Sequence, residues 1–101
     1  MTTERIDFQA INRVALPELL GLLREWLPDG RLVHGEWAAR NPTRVDKSPG
    51  SFLINTHSGK WADFATGDRG GDIVSLLAYL EGVSQVEAAV MLSWMLGGCH
   101  D

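Results

Sequence analysis

A glycine-rich loop ahead of an apolar helix is the first part of the chain that could perform chemistry. The loop TGDRGGD, residues 66–72, contains three glycines and leads directly into IVSLLAYLEG, residues 73–82. Such a loop binds phosphate when its backbone N–H groups point at the ligand and a Gly-Lys-Ser/Thr ending follows. Here that ending is absent, and Asp68 and Asp72 would repel phosphate. The residues favour a structural turn in which Asp72 caps the helix, over a nucleotide site.

The side chains that could bind a metal or act as a nucleophile are few and scattered. The good nitrogen and sulfur ligands are His34, His57, Cys99 and His100. Only the last two have the spacing of a ligand pair, which disfavours a zinc site, and no serine has an obvious base beside it in sequence. Asp63, Asp68 and Asp72 could hold magnesium together, but capping or pairing is the favoured role. We therefore predict that the chain is not an enzyme.

Basic residues are concentrated in the middle of the chain, although the net charge is −4. Residues 31–69 contain six basic and four acidic residues, a balance of +2, whereas the remaining segments contain three and nine, a balance of −6. Nucleic-acid bases stack on exposed aromatic rings while Lys and Arg neutralise the phosphates. The candidate nucleic-acid-binding residues are Arg40, Arg44, Lys47, Lys60, Trp61 and Arg69. On composition alone, the favoured interpretation is that Trp37 and Trp61 belong to the core and that the charges form a solvated surface.

Helices are predicted at both ends of the chain. Residues 7–27 have an apolar face and Asp7 as a candidate N-cap, and Pro17 predicts either a kink or two helices that meet there. Residues 73–81 repeat their apolar residues at helical spacing, and Gly82 closes that helix. The capping box SQVE opens a last helix that runs to about Leu96 and is apolar on nearly all sides.

Strands are predicted between these helices, because the residues of 31–65 alternate between apolar and polar types in three runs. The last two runs form a hairpin around THSG, residues 56–59, and the first two are separated by the loop NPTRVDKSPG, residues 41–50. The order of elements indicates an α+β fold. We expect one domain over residues 1–101, with a helical extension at 7–27, the sheet at 31–65 and a helical pair at 72–97.

The composition is that of an ordinary globular domain. The chain has 101 residues, 45% of them hydrophobic and 22% charged, which suffices for one domain with one core. The sequence has no apolar run of about 18 residues and no signal peptide, so we expect no membrane contact. Cys99 is the single cysteine and cannot form an internal disulfide, which favours a cytoplasmic protein.

Residues 41–77 resemble the zinc-binding domain at the N-terminus of bacterial and phage DNA primases. That family reads Cys-Pro-x-His-x-x-Lys-Thr-Pro-Ser-Phe, and then aromatic-x-Cys-x-x-Cys-Gly-x-x-Gly-x-x-Ile before a helix. NPTRVDKSPGSF matches the first motif with Gly50 inserted, and WADFATGDRGGDIVSLLAYL matches the second without a gap. The resemblance covers residues 31–97. Through the strings ARNPTR and DFATGDRGGD it looks closest to zinc-less versions in phage, plasmid and integrative-element primase–helicase proteins.

The resemblance implies a small zinc-ribbon-like, three-stranded antiparallel sheet, packed with the N-terminal helix and two C-terminal helices. All four positions that match its zinc ligands carry other residues, which are Asn41, Arg44, Asp63 and Thr66. We therefore expect no zinc and no other cofactor. An ion pair or bidentate hydrogen bond between Arg44 and Asp63 would join the same two loops, with neutral hydrogen bonds from Asn41 and Thr66.

One such pair contributes less folding free energy than a structural zinc, so the hydrophobic core must supply the remainder. The predicted core consists of Phe8, Leu19, Leu23, Trp26, Trp37, Phe52, Ile54, Phe64, Ile73, Leu76, Leu77, Leu80, Val90 and Trp94. The glycines of residues 66–72 then serve a turn whose shape persists without metal.

The resemblance implies a non-catalytic DNA-binding module in the replication or priming of a phage or other mobile element. Its expected partner is single-stranded DNA, held on the sheet face by the six candidate residues, with Trp61 stacking a base. The alternative is a protein-interaction module that docks on a primase or helicase through the last helix. Met91, Trp94 and Met95 would then be partly exposed as an adaptable contact surface.

Overall fold

The computed structural model describes residues 6–45 and 50–97, which form four α-helices and one antiparallel sheet of five strands. Of the residues discussed above, Lys47, Cys99 and His100 lie outside the described residues. The fold class is α+β, as predicted.

The N-terminal helical segment is divided at Pro17. Helix α1 spans Phe8–Ala15, a single turn of 3₁₀-helix follows at Leu16–Glu18, and helix α2 spans Leu19–Trp26. Pro17 has no N–H to donate and its ring crowds the preceding turn, so the α-helical hydrogen bonding stops there. Asp7 caps α1, since its carboxylate accepts from the backbone N–H of Ala10 at 3.0 Å. The prediction of a divided helix is confirmed.

The sheet is a meander in which each strand pairs with the next one along the chain. The strands are β1 at Arg31–Val33, β2 at Glu36–Ala39, β3 at Phe52–Asn55, β4 at Trp61–Asp63 and β5 at Arg69–Gly70. All four pairings are antiparallel.

The strand count of three is wrong because the first predicted strand contains a turn. His34 and Gly35 both have positive φ, 51° and 80°, and they join β1 to β2 in a two-residue hairpin. Hairpin turns of this kind match the right-handed twist of their strands. In the sequence, Val33, Gly35 and Trp37 continue one alternating pattern across this turn. The pattern alone therefore predicted a single strand. Strand β5 has only two residues, too few to show any periodicity.

The two faces of the sheet differ in what covers them. The inner face packs on the helices and buries Trp37, Ala39, Phe52, Ile54, Trp61 and Asp63. The outer face carries the residues between them, and strand pairing places Arg31, Ala38, Leu53, Ala62 and Arg69 in one row across all five strands. An arginine therefore stands at each end of an apolar row.

The C-terminal helices are α3 at Ile73–Glu81 and α4 at Gln85–Met95. Both begin with a reciprocal capping box, formed by Asp72 with Ser75 and by Ser84 with Glu87. Gly82 ends α3 with φ of 68°, as predicted.

The core lies between the inner face of the sheet and the helices, but three predicted core residues are exposed. Phe64 is 73% exposed, Trp94 65% and Val90 43%. Phe64 follows β4 on its outer side, and Val90 and Trp94 lie on the side of α4 that faces away from the core. Small residues, Ala88 and Ala89, together with Leu92 fill the buried side of that helix.

In the described part of the chain, no single helix is long and apolar enough to cross a membrane. Helices α3 and α4 reach that length and composition only as a pair, and they meet at a bend of 107°.

Gly70 lies directly under an indole ring, and this yields a stability prediction. A Cβ at Gly70 would stand 2.4 Å from Nε1 of Trp61 and 2.5 Å from Oγ of Ser75, whereas one at Gly71 would meet nothing within 4 Å. We expect Gly70→Ala to lower the free energy of unfolding by about 1–3 kcal/mol through overpacking. Gly71→Ala is the matched control and is expected to change it by less than about 0.5 kcal/mol. Urea unfolding of the two variants measures both effects, and equal stabilities would contradict the packing described here.

Candidate functional site

A buried ion pair stands where the resemblance places zinc ligands. Asp63, on the inner side of β4, is 0% exposed. Nε of Arg44 donates to its Oδ2 at 3.0 Å, and Nη2 lies 3.0 Å from Oδ2 and 3.3 Å from Oδ1. Nη2 also donates to Oγ of Ser51 at 3.3 Å. The predicted pairing of Arg44 with Asp63 is therefore present, and it joins the loop after β2 to strand β4.

Asn41 extends this pair into a network that reaches helix α3. Its Nδ2 donates to Oδ2 of Asp63 and to the hydroxyl of Tyr79, both at 2.8 Å. Its Oδ1 accepts from the backbone N–H of Thr43 at 2.9 Å and from that residue's hydroxyl at 2.6 Å. The hydroxyl of Tyr79 donates to Asp68 at 2.7 Å. Sequence reasoning missed Tyr79, because a tyrosine at a helical apolar position looks like an ordinary core residue.

Thr66 does not bond to the pair through its side chain. Its hydroxyl accepts from the backbone N–H of Asp68 at 3.2 Å, while its own N–H donates to the carbonyl of Asp63 at 3.2 Å. The N–H of Gly67, which has φ of 87°, donates to the same carbonyl at 2.7 Å. Thr66 thus shapes the turn between β4 and β5, and the predicted hydrogen bond from its side chain to the ion pair is wrong.

The pKa of Asp63 reports the balance of forces in this network. Burial by itself would raise the pKa of the carboxyl group. Hydrogen bonds from Arg44, Asn41 and the backbone N–H of Ala65, together with the charge of Arg44, more than offset burial and lower it from 3.8 to about 2. Asp63 is therefore ionised throughout the neutral range.

The side chains at the four positions that match the zinc ligands do not fit a zinc ion. Arg44 brings a positive charge to one of the four positions, and both oxygens of Asp63 are already engaged. Every buried side-chain nitrogen and oxygen of residues 6–45 and 50–97 has a hydrogen-bond partner. Over the same residues, no three His, Cys, Asp or Glu side chains are grouped to hold a metal. That the protein needs no zinc or other cofactor stays a prediction.

The N-terminus of α3 has its own protein partners, which decides what the glycine loop does. Oδ1 of Asn12, on α1, accepts from the N–H groups of Ile73 and Val74 at 3.1 and 3.0 Å. Asp72 accepts from the N–H of Ser75 through its carboxylate at 2.8 Å. The donors that would hold a phosphate are thus already bonded, and the structural interpretation of the loop is supported.

Trp61 is not available to stack a base. It is 6% exposed, its Nε1 donates to Oγ of Ser75 at 3.0 Å, and its ring lies 4.6 Å from that of Tyr79 and 6.1 Å from that of Phe52. Strand alternation turns Trp61 inward with Asp63, so the expectation that it is exposed was wrong. Arg44 is engaged with Asp63 and Ser51, and its predicted role towards DNA competes with that structural one.

An exposed aromatic ring does lie on the outer face, and it is Phe64. Lys60, Ala62 and Phe64 line a shallow groove there of about 230 Å³, together with Glu36, Leu53, Asn55 and Trp61, although the ring of Trp61 packs in the core. Arg69 pairs with Ala62 and shares this face, and Lys60 and Arg69 are both exposed. Arg40 is exposed as well and stands 3.8 Å from Asp29. The sequence predicts Trp61 as the aromatic residue of this surface. Phe64 lies three residues further along, and strand alternation therefore places it on the opposite face.

A solved primase has a similar fold. The crystal structure of the Aquifex aeolicus primase, which holds the zinc-binding and RNA polymerase domains, matches 97% of this chain with a TM-score of 0.73 and 22% identity. This chain spans 23% of that primase chain. No model of a known protein family and no curated protein matches the sequence. At this identity the likeness establishes the fold, and a primase-like α+β architecture is confirmed.

Removing the cation of the buried pair is expected to destabilise the protein. Arg44→Ala would leave Asp63 charged and buried with weaker compensation, at a cost of about 3 kcal/mol. Arg40→Ala is the matched control, because its side chain is 53% exposed and its 3.8 Å contact with Asp29 contributes at most about 1 kcal/mol. Urea unfolding of both variants provides the comparison.

The same experiment can include metal. The side-chain oxygens of Asp63 and Asn41 already accept hydrogen bonds. Adding zinc or a chelator is therefore expected to leave the Tm of the unaltered protein unchanged. A transition that shifts with the chelator, or an Arg44→Ala variant as stable as Arg40→Ala, would contradict this account.

The low pKa of Asp63 predicts a specific loss of stability in acid. The folded protein holds this pKa below the value of the unfolded chain, so the contribution is complete above about pH 4 and is lost as the pH falls to about 2. The loss expected from this group is about 2 kcal/mol. The free energy of unfolding, measured by urea at a series of pH values, should fall less steeply over this interval for Asp63→Asn than for the unaltered protein. Parallel curves would contradict the assignment.

Proposed function

We propose that the protein is a non-catalytic, primase-related module that binds single-stranded DNA on the outer face of its sheet. In this proposal it acts in replication or priming of a phage or other mobile element. The observation that carries the proposal is the exposed ring of Phe64, 73% accessible, on the same sheet face as the exposed side chains of Lys60 and Arg69.

The chemistry of this face suits an unpaired strand. Every base has a ring face that can stack on Phe64, and Lys60 and Arg69 stand close enough to neutralise neighbouring phosphates. Arg31 and Arg40 add positive charge at the other side of the sheet. Lys47 remains part of the proposed interface on its sequence alone. Glu36 lies in the same groove, which limits the attraction and favours weak binding, with Kd of about 10⁻⁴–10⁻⁶ M.

The buried network supports this face from behind. Asp63 immediately precedes Phe64, and its bonds to Arg44 and Asn41 hold the end of β4 in place. The N–H of Phe64 donates to the carbonyl of Ser51 at 2.8 Å, which fixes the backbone at the ring. We therefore assign Arg44 to positioning of this strand end, and phosphate contact to the exposed basic residues.

A second candidate function is a protein-interaction module that docks on a primase or helicase. Val86, Val90 and Trp94 follow one another at four-residue spacing on the outer side of α4, and they are 52%, 43% and 65% exposed. An apolar stripe of this kind is typical of a contact surface. Met91 and Met95 flank it with flexible side chains.

The DNA proposal is tested by titrating fluorescently labelled oligothymidine at about 50 and about 200 mM salt. Phe64→Ala is expected to weaken binding about ten-fold, because one stacked base contributes about 1–3 kcal/mol. Trp94→Ala is the matched control, since it removes an exposed aromatic ring from α4 and leaves the sheet unchanged. A hairpin duplex of the same length is expected to lose the dependence on Phe64.

The outcomes separate the two candidate functions. Lys60→Ala should reduce the salt dependence of the affinity, whereas Phe64→Ala should leave that slope unchanged. An absence of binding at low salt, or equal affinities for Phe64→Ala and Trp94→Ala, would overturn the DNA proposal and favour the interaction module. Circular dichroism and Tm of each variant confirm that the fold is intact.

A further inference from the structure

A groove of about 500 Å³ runs along the helical side of the protein, where α1 and α2 meet the end of α4. None of the described residues that line it belongs to the sheet. Val14 and Met95 border it and are 57% and 47% exposed, and Leu22 and Leu96 lie deeper. Its middle is open because Gly21 stands there, and a Cβ on Gly21 would meet nothing within 4 Å.

The charges of this groove have one sign. Glu18 and Glu25 lie along the same edge, seven residues apart, and both are exposed. Glu18 is the N-cap of α2, and with Gly21, Leu22 and Glu25 it follows the i, i+3, i+4, i+7 spacing of one helix face. The backbone positions of the two glutamates are therefore about 10 Å apart along the helix axis. No Lys or Arg is among the described residues that line the groove.

We propose that this groove binds a basic amphipathic helix of a partner protein. Apolar side chains of that helix would pack on Val14 and Met95 and over Gly21, where the absent side chain leaves room for an incoming one. Lysine or arginine residues two turns apart on its flank would pair with Glu18 and Glu25. The methionine gives the apolar wall an adaptable shape.

The charge of the groove favours a basic helix over a nucleic-acid strand or a second copy of this chain. A nucleic-acid strand would be repelled by the two carboxylates, so this surface and the outer face of the sheet have opposite preferences. A second copy of the chain would bring a further acidic helical surface, because the segments outside residues 31–69 have a balance of −6. The proposal does not depend on DNA binding by Phe64.

The probe is a synthetic, fluorescently labelled helical peptide with leucines at i, i+3, i+4 and i+7 and with lysines two turns apart on the flank. A peptide with glutamates in place of those lysines is its control. We expect the lysine peptide to bind, with the affinity falling as salt rises, and the glutamate peptide to bind about ten-fold more weakly or not at all.

Two protein variants locate the binding. Gly21→Leu fills the open middle of the groove while improving helix propensity, so a loss of binding cannot be attributed to unfolding. The double variant Glu18→Lys with Glu25→Lys reverses the charge, and Glu81→Lys, an exposed reversal at the end of α3, is its control. Gly21→Leu and the double variant are each expected to weaken the binding of the lysine peptide about ten-fold. Glu81→Lys is expected to leave that binding unchanged.

The affinity of Gly21→Leu for oligothymidine is expected to equal that of the unaltered protein. This measurement distinguishes a failure of the DNA proposal from a failure of the groove proposal. The groove proposal is overturned if the lysine peptide fails to bind at millimolar protein, or binds Gly21→Leu equally well. It is also overturned if sedimentation shows a dimer that Gly21→Leu abolishes, which would give the groove to a second copy.

Discussion

The fold depends on the neutralisation of one buried carboxylate. Asp63 has no exposed surface, and an isolated charge in such a place would be costly to bury. Arg44 supplies the opposite charge, Asn41 and the N–H of Ala65 supply further hydrogen bonds, and the pKa of Asp63 falls rather than rises. Through Asn41 the network continues to Tyr79. The loop after β2, strand β4 and helix α3 are thus joined at a single point.

A metal site draws several ligands to one ion, whereas here a salt bridge and neutral hydrogen bonds join the loop after β2 to strand β4. The primase resemblance places its zinc ligands at these same positions. The aromatic cluster of Phe52, Trp61 and Tyr79 lies directly beside this network, with ring centres 4.6–6.1 Å apart. Tyr79 belongs to both, because its ring packs in the core while its hydroxyl accepts from Asn41 and donates to Asp68. Polar pairing and apolar packing therefore reinforce each other at this point.

Strand β4 carries structural residues on its inner face and proposed DNA-binding residues on its outer face. Its alternation sends Trp61 and Asp63 inward, and Lys60, Ala62 and Phe64 outward. Trp61 and Asp63, which are buried on the inner face, therefore hold the proposed DNA surface in place. The groove on the helical side is apolar and acidic, so the partner proposed for it differs from the one proposed for the sheet. The two proposed surfaces share no residue.

The sequence alone determined the caps at Asp7, Asp72 and Ser84 and the break at Pro17, and through the primase resemblance it also predicted the pairing of Arg44 with Asp63. Each of these depends on residues close together in the chain or on a spacing shared with the primase resemblance. Only the tertiary structure decided which aromatic rings are covered. Periodicity shows that Trp61 and Phe64 lie on opposite faces, but the helices that pack against one face come from distant parts of the chain, and their position makes Trp61 core and leaves Phe64 in solvent.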